Sequence, residues 1–532
     1  MKTFIALLLV LTFIGGCSHQ PAVQYVAVQY DLLIRNAMLV DGTGNEPYRG
    51  DLAITGDTIA AMGNLGNATA LRVIQADGKA LSPGFIDLHS HAENDVLKRP
   101  DAKNNILQGV TTILAGNCGG SPVDIGDYFE RLAANPTSLN VALLLGHNSV
   151  RQAVMQRENR HATAAEIEAM ERLVAQAMGD GAFGLSSGLI YIPGSFAPPA
   201  ELEALANVAH SYEGFYASHI RSEGSDVLNA LQEAIDVGAQ VGLPVHISHH
   251  KTAGPSAWGL SKDTLALIDM HRAKGIDISL DQYPYTASNT NLGVLMPPWS
   301  LAGGQQAFLE RMQQSASRSK ILEDVKRIID EQRAGSEFWR IQISSYPHDP
   351  SLVGKNFEKV LKQRNIAVNL HNAAELAIEI QVNGGGRGIY HTMQDEDVER
   401  IMRHPHTSIA SDGAGVEWQK GSPHPRNYGT YPRTLALYVR DKGLLSLPEA
   451  VKKMTSMPAN RMGLIDRGLL KEGYKADVLM WDPSTIADNS TFADPHQYST
   501  GIDYVIVNGV VVVEDGEMTD ARPGLALHSN SQ

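Results

Sequence analysis

Short apolar runs alternate with amphipathic stretches through most of this chain, a pattern that predicts parallel strands joined by helices. Eight runs read as strands: 85–88, 110–115, 141–145, 182–186, 215–219, 245–249, 276–281 and 407–411. Between them, Thr163-Ala-Ala-Glu166 forms a capping box ahead of Ile167, Met170, Leu173, Val174 and Ala177, which recur at helical spacing. Ser225 and Gly238 bracket a second stripe, and Ser261 and Gly275 a third. These stripes are core packing. Eight strand–helix repeats over 83–459 predict an α/β fold, a TIM-type (β/α)8 barrel. The seventh run ends at 281 and the eighth starts at 407, which predicts an insertion at about 292–369.

The pattern changes at both ends. Apolar runs at 32–40, 51–59 and 71–76, and again at 476–481 and 504–513, are separated by Gly, Asn and Asp turns, with Asn508-Gly509 as a hairpin turn. Residues 29–82 and 460–525 are therefore expected to pair into one small β-sandwich domain. Before them, Lys2 and the apolar stretch 4–14 read as a signal peptide over 1–16, too short to span a bilayer as a helix. Ile14-Gly15-Gly16-Cys17 resembles a bacterial lipobox, which implies cleavage before Cys17, acylation of Cys17, and a tether over 17–28. The expectation is an exported protein lipid-anchored in the bacterial cell envelope, on the periplasmic side; Ser18, in place of Asp, points to the outer membrane.

Composition adds exclusions. A net charge of −14 over 532 residues, with no basic run, argues against nucleic acid as a partner and leaves a small molecule. There are 2 cysteines; if Cys17 carries lipid, Cys118 has no disulfide partner in an oxidising compartment. A metal ion would hold that thiol as thiolate. Oligomeric state is not encoded in any of these features.

Candidate chemistry gathers at strand ends. Alternate residues of an extended segment share a side, so His89 and His91 project together and can share a metal ion. Cys118, His219, His249 and Asp412 each follow or close another apolar run, at the carboxyl end where such barrels place their active sites. His250 points away from its neighbour His249 and reads as packing, and His147 as a structural residue.

These residues resemble the amidohydrolase superfamily, and within it the D-aminoacylases, or N-acyl-D-amino-acid deacylases. The resemblance rests on Gly116-Asn117-Cys118-Gly119, Ser248-His249-His250-Lys251, Tyr283-Pro284-Tyr285, Ser411-Asp412-Gly413 and His424-Pro425-Arg426. It implies a tightly bound zinc on Cys118, His219 and His249, and a second, weaker position lined by His89, His91 and Asp412 that Cys118 can bridge. Bound zinc lowers the pKa of its water to about 7 and polarises the scissile carbonyl. Asp412 is then the base that takes the water's proton and returns it to the departing amine. Arg426 suits the substrate's α-carboxylate, and the resemblance adds Lys251, Tyr283, Tyr191 and Ser288 as neighbours. Asn289 follows Ser288 where the family often has a second small hydroxyl residue.

No Lys or Arg occurs from Gly275 through Glu310, so neutral or apolar D side chains are expected over acidic ones, which would need a paired cation. The alternative enzyme is a cyclic-amide hydrolase of the hydantoinase or dihydroorotase kind, expected to bridge its metals with a lysine. A non-catalytic metal or solute binder is a third reading, and the full donor set speaks against it.

Overall fold

The computed structural model describes residues 29–529; the predicted signal peptide, Cys17 and the tether lie outside them. Eight parallel strand positions follow in chain order: Phe85–Asp87, Val110–Ala115, Asn140–Leu143 continued by Leu145–Gly146, Gly184–Gly188, Phe215–His219, Val245–Ile247, Ile278–Gln282 and Thr407–Ile409. Each of the first seven pairs with its successor in parallel register, which leaves the first and last to be joined to each other. Those two meet where Ser90 pairs with Gly413, with the His91 N–H donated to Gly413 O at 2.7 Å and the Asp412 N–H to His89 O at 2.9 Å. The ring therefore closes through the candidate ligand segments. Every residue of Val110–Ala115 is buried, Thr111 and Thr112 included, so the strand shows no alternation of apolar and charged positions.

The small domain departs from a two-layer sandwich. Its strands form one continuous nine-stranded sheet in which Gln29–Leu39 pairs with three others, Tyr48–Thr55, Thr69–Gln75 and Ala80–Pro83. An irregularity between Ile34 and Ala37 divides that long strand: both halves pair with Tyr48–Thr55 along one edge, while along the other the first half pairs with Thr69–Gln75 and the second with Ala80–Pro83. The two chain ends join where Ala80–Pro83 runs antiparallel to Val478–Trp481. The sheet folds around its own core of Leu32, Ile34, Leu52, Ile54, Val478 and Ile506. A buried network ties it to the barrel: Asp477 accepts from Arg467 and, at 3.2 Å, from Asn140 of the third strand, while Asn508 donates to Asn140 at 2.8 Å.

The excursion after the seventh strand is longer than expected. Ser288–Asn291, Ile341–Ser345 and Arg387–Tyr390 form an antiparallel sheet, so it spans 288–390 rather than 292–369. Phe308, Ile321, Val325, Phe357 and Ile380 give it a separate core. No helix among the described residues is long and apolar enough to cross a membrane.

Candidate metal centre and substrate chamber

The six predicted ligands converge at the carboxyl ends of the strands. Cys118 Sγ lies 3.3 Å from His89 Nε2, 3.5 Å from His219 Nδ1 and 3.3 Å from His249 Nε2. Asp412 Oδ1 lies 3.2 Å from His91 Nε2 and 3.7 Å from His89 Nε2. Mutually close donor groups are His89, Cys118 and His249; His89, His91 and Asp412; and His219, Glu223 and His249. Cys118 is thus central, touching imidazoles of both expected sets.

Three of these donors sit in left-handed backbone, Cys118 at φ 54°, His249 at φ 37° and Asp412 at φ 49°. For a non-glycine residue that conformation costs about 1–3 kcal/mol and must be held by its surroundings. The His249 N–H donates to Asp281 Oδ1 at 2.9 Å, and the Asp412 N–H is fixed by the ring closure described above. The Cys118 carbonyl rests on Gly188 so closely that a Cβ there would lie 2.1 Å from it. The turn at His249 also ends the sixth strand at Ile247, two residues earlier than its apolar run predicts.

Carboxylates fix the imidazoles from behind. His89 Nδ1 donates to Asp281 Oδ2 at 3.2 Å, and His246 shares that oxygen at 2.7 Å. His249 Nδ1 faces Glu223 Oε1 at 3.2 Å, and Lys251 Nζ lies 2.5 Å from the same oxygen and 2.9 Å from Nδ1. A ring nitrogen that donates to a carboxylate leaves the opposite nitrogen as a lone pair for a metal. Glu223, Asp281 and His246 were not singled out from sequence; Glu223 lies four residues after His219 and Asp281 within a strand end, the sole signals available. His250 Nε2 instead meets Thr264 Oγ1 at 2.9 Å, and His147 meets Glu201 at 2.9 Å beside buried Arg151.

Burial alone would push the Cys118 thiol up, but His249 and His89 outweigh it and hold the sulfur well below the usual thiol range. Burial likewise opposes ionisation of Asp412, and the Arg426 guanidinium, followed by His249, overcomes it and keeps the carboxyl well below the ordinary range. The centre therefore presents a thiolate and a carboxylate, both anionic.

Around it lies a chamber of about 640 Å³ lined by Tyr191, Lys251, Tyr283, Ser288, Asn289, Arg387 and Arg426, among others. Arg426 differs from its expected role: Nη1 lies 2.8 Å from Asp412 Oδ2 and Nη2 donates to Asn289 O at 3.2 Å, so the guanidinium is engaged before substrate arrives. Lys251 is likewise committed to Glu223. Tyr191 bonds Thr290 Oγ1 at 3.0 Å, and Tyr283 is buried beneath Arg426 at 4.7 Å. Two exposed cations face the chamber: Arg387, which bonds Asn289 Oδ1 at 3.1 Å, and Lys420, which pairs with Glu417 at 2.9 Å. Arg333 also lines the chamber, but it is buried against the Tyr390 ring at 5.3 Å. These three cations come from beyond the 275–310 stretch that looked cation-free, so the chamber wall is not.

The donor set fits zinc. With Zn–S near 2.3 Å and Zn–N near 2.0–2.1 Å, the edge of a tetrahedron between sulfur and nitrogen is about 3.5 Å. The sulfur–nitrogen separations here are 3.3–3.5 Å. No lysine takes the bridging place, because Lys251 lies on the far side of His249 from the sulfur.

Comparison with known proteins agrees with this geometry. A family model described as "Amidohydrolase family" matches residues 72–320 and 362–513. The D-aminoacylase of Alcaligenes xylosoxydans xylosoxydans is 35% identical over 521 residues, covering 94% of this chain and 97% of that protein. The N-acyl-D-glutamate deacylase of the same organism is 36% identical over 523 residues, with the same coverage. The solved N-acyl-D-glutamate deacylase from Bordetella bronchiseptica, complexed with zinc and a phosphonate mimic of the tetrahedral intermediate, superposes with a TM-score of 0.80 at 33% identity, covering 94% of this chain and 100% of that one. This chain therefore belongs to the amidohydrolase family and, within it, to the D-aminoacylases, hydrolases of linear amides.

Proposed function

We propose that this protein is a zinc-dependent deacylase that cleaves N-acyl-D-amino acids with neutral or apolar side chains into a carboxylate and a free D-amino acid. The observation that carries the reading is Cys118 Sγ in contact with three imidazoles at the edge length of a zinc tetrahedron. Cys118, His219 and His249 would hold the tight ion, and His89, His91 and Asp412 a second, weaker one. A solved D-aminoacylase is described as having a binuclear centre with one-metal activation and second-metal attenuation, which supports that division. When bound, zinc supplies Lewis acidity toward the scissile carbonyl and lowers the pKa of a water molecule to about 7.

The chain's own groups handle the protons and the substrate. Asp412, kept ionised by Arg426, accepts the proton of the attacking water. Because its acid form is strong, it readily gives that proton to the departing amine, which would otherwise leave as an amide anion. Arg387 pairs with the α-carboxylate, a role that Arg426 is too engaged to fill. With Arg387 taken by the α-carboxylate, Arg333 buried against Tyr390 and Lys420 paired with Glu417, the segment 288–296 over the site, with Ser, Asn, Thr, Leu and Met, supports neutral side chains.

Asp412→Asn is expected to lose about 10²–10⁴ in kcat while retaining zinc by elemental analysis. An active Asn variant would remove Asp412 from the proton path. N-acetyl-D-methionine should outrun N-acetyl-D-glutamate and the L-enantiomer; a D-glutamate preference would overturn the side-chain reading, and turnover of the L form alone the reading as a whole. We further propose that Cys17 carries the lipid anchoring the protein to the outer membrane, supported by the lipobox-like Ile14 to Cys17 run. Cys17→Ser should abolish labelling by a fatty-acid probe in cells.

A further inference from the structure

A second cavity, of about 800 Å³, adjoins the catalytic chamber and shares Ile190, Tyr191 and Asn291 with it. Its remaining wall includes Ile192, Val294, Met296, Pro297, Trp299 and Leu301, drawn from the barrel loop after the fourth strand and from the excursion after the seventh. Charged residues line it as well, and several are engaged: Arg221 grips Glu233 at 2.8 Å, Asp226 accepts from Asn229 at 2.6 Å, and Asp324 accepts from the Trp299 indole at 3.0 Å and from Lys320 at 3.3 Å. The stretch of wall from Ile192 and from Val294 to Leu301 offers a ligand an apolar surface.

Tyr191 stands in the wall common to the two cavities. The Tyr191 ring lies 4.8 Å from the His219 ring, and its hydroxyl is 3.0 Å from Thr290 Oγ1. In a deacylase the scissile carbonyl sits at the donors that include His219, so the substituent on that carbonyl is the part of the substrate that can extend past Tyr191. Arg387, which takes the α-carboxylate in this reading, lines the catalytic chamber and not the second cavity. A chamber of about 640 Å³ already has room for an amino acid with a short acyl group. A further 800 Å³ suits a group that grows with chain length.

We infer that the second cavity receives the acyl chain, and that the enzyme prefers apolar acyl groups of several carbons over acetyl. This rests on the deacylase reading above. The test is kcat/KM for D-methionine carrying acetyl, butanoyl, hexanoyl and octanoyl groups, beside a second series of N-acetyl substrates with D-alanine, D-norvaline and D-norleucine. In the wild-type enzyme the acyl series should rise by up to about fourfold per added methylene. Val294→Trp, which narrows the cavity, should reduce the octanoyl-to-acetyl ratio at least tenfold. A flat wild-type acyl series overturns the inference, and so does a rise confined to the side-chain series, which would assign the cavity to the amino-acid side chain. If no N-acyl-D-amino acid is cleaved, acetyl included, the deacylase reading fails first and this inference falls with it.

Discussion

Glu223 faces His249 Nδ1 and Lys251 Nζ with one carboxylate oxygen, at 3.2 and 2.5 Å, and therefore sets which nitrogen of His249 is left for a metal. Glu223→Gln keeps the shape and removes the charge that opposes buried Lys251, so zinc affinity should fall about 10–100-fold, read by competition with a chelator. The donors themselves were legible because each lies at the end of an apolar run, and a barrel gathers such ends. Their carboxylate supports were not, since an apolar run does not tell which acid touches the far ring nitrogen. Arg426 illustrates the opposite failure. Its residue type suits a carboxylate, but the carboxylate it meets belongs to Asp412, 2.8 Å away, and Arg387 in the returning strand of the excursion is left open to substrate.

At the scale of elements, the ends of strands carry the chemistry and are also the hardest features to read. The apolar run 245–249 continues past the true strand because His249 turns left-handed, and Ser288–Asn291 contains no apolar residue that would mark it as a strand. It pairs only through its backbone with Arg387–Tyr390. The end of the fourth strand constrains that of the second: Gly188 has no side chain because the Cys118 carbonyl occupies the space. Gly188→Ala is expected to displace Cys118 and lower zinc content and activity together, with the rest of the fold intact by circular dichroism. A fully loaded Ala variant would contradict that coupling.

The stability of the whole molecule carries a buried charge at the base of the barrel. Lys453 donates to His404 O at 2.7 Å and Thr407 O at 3.1 Å, and burial brings its pKa down to about 8. Below pH 8 both folded and unfolded chains hold the proton, and the fold bears the full penalty. Between pH 8 and 10.5 the unfolded chain binds more protons, so stability rises by up to roughly 3 kcal/mol. Urea unfolding from pH 7.5 to 10 should show the gain in the wild type and lose it in Lys453→Met. At this scale the alternation of runs made the barrel and the joining of the two ends legible. The single curled sheet was not, because pairing choices along one long strand depend on an irregularity that no hydropathy pattern records.

The antiparallel contact between Ala80–Pro83 and Val478–Trp481 has a consequence for biogenesis. A ribosome delivers the first partner almost four hundred residues before the second, so the nascent small domain waits with an open edge while the whole barrel is being synthesised. Completion of that sheet is thereby postponed until the barrel has been made.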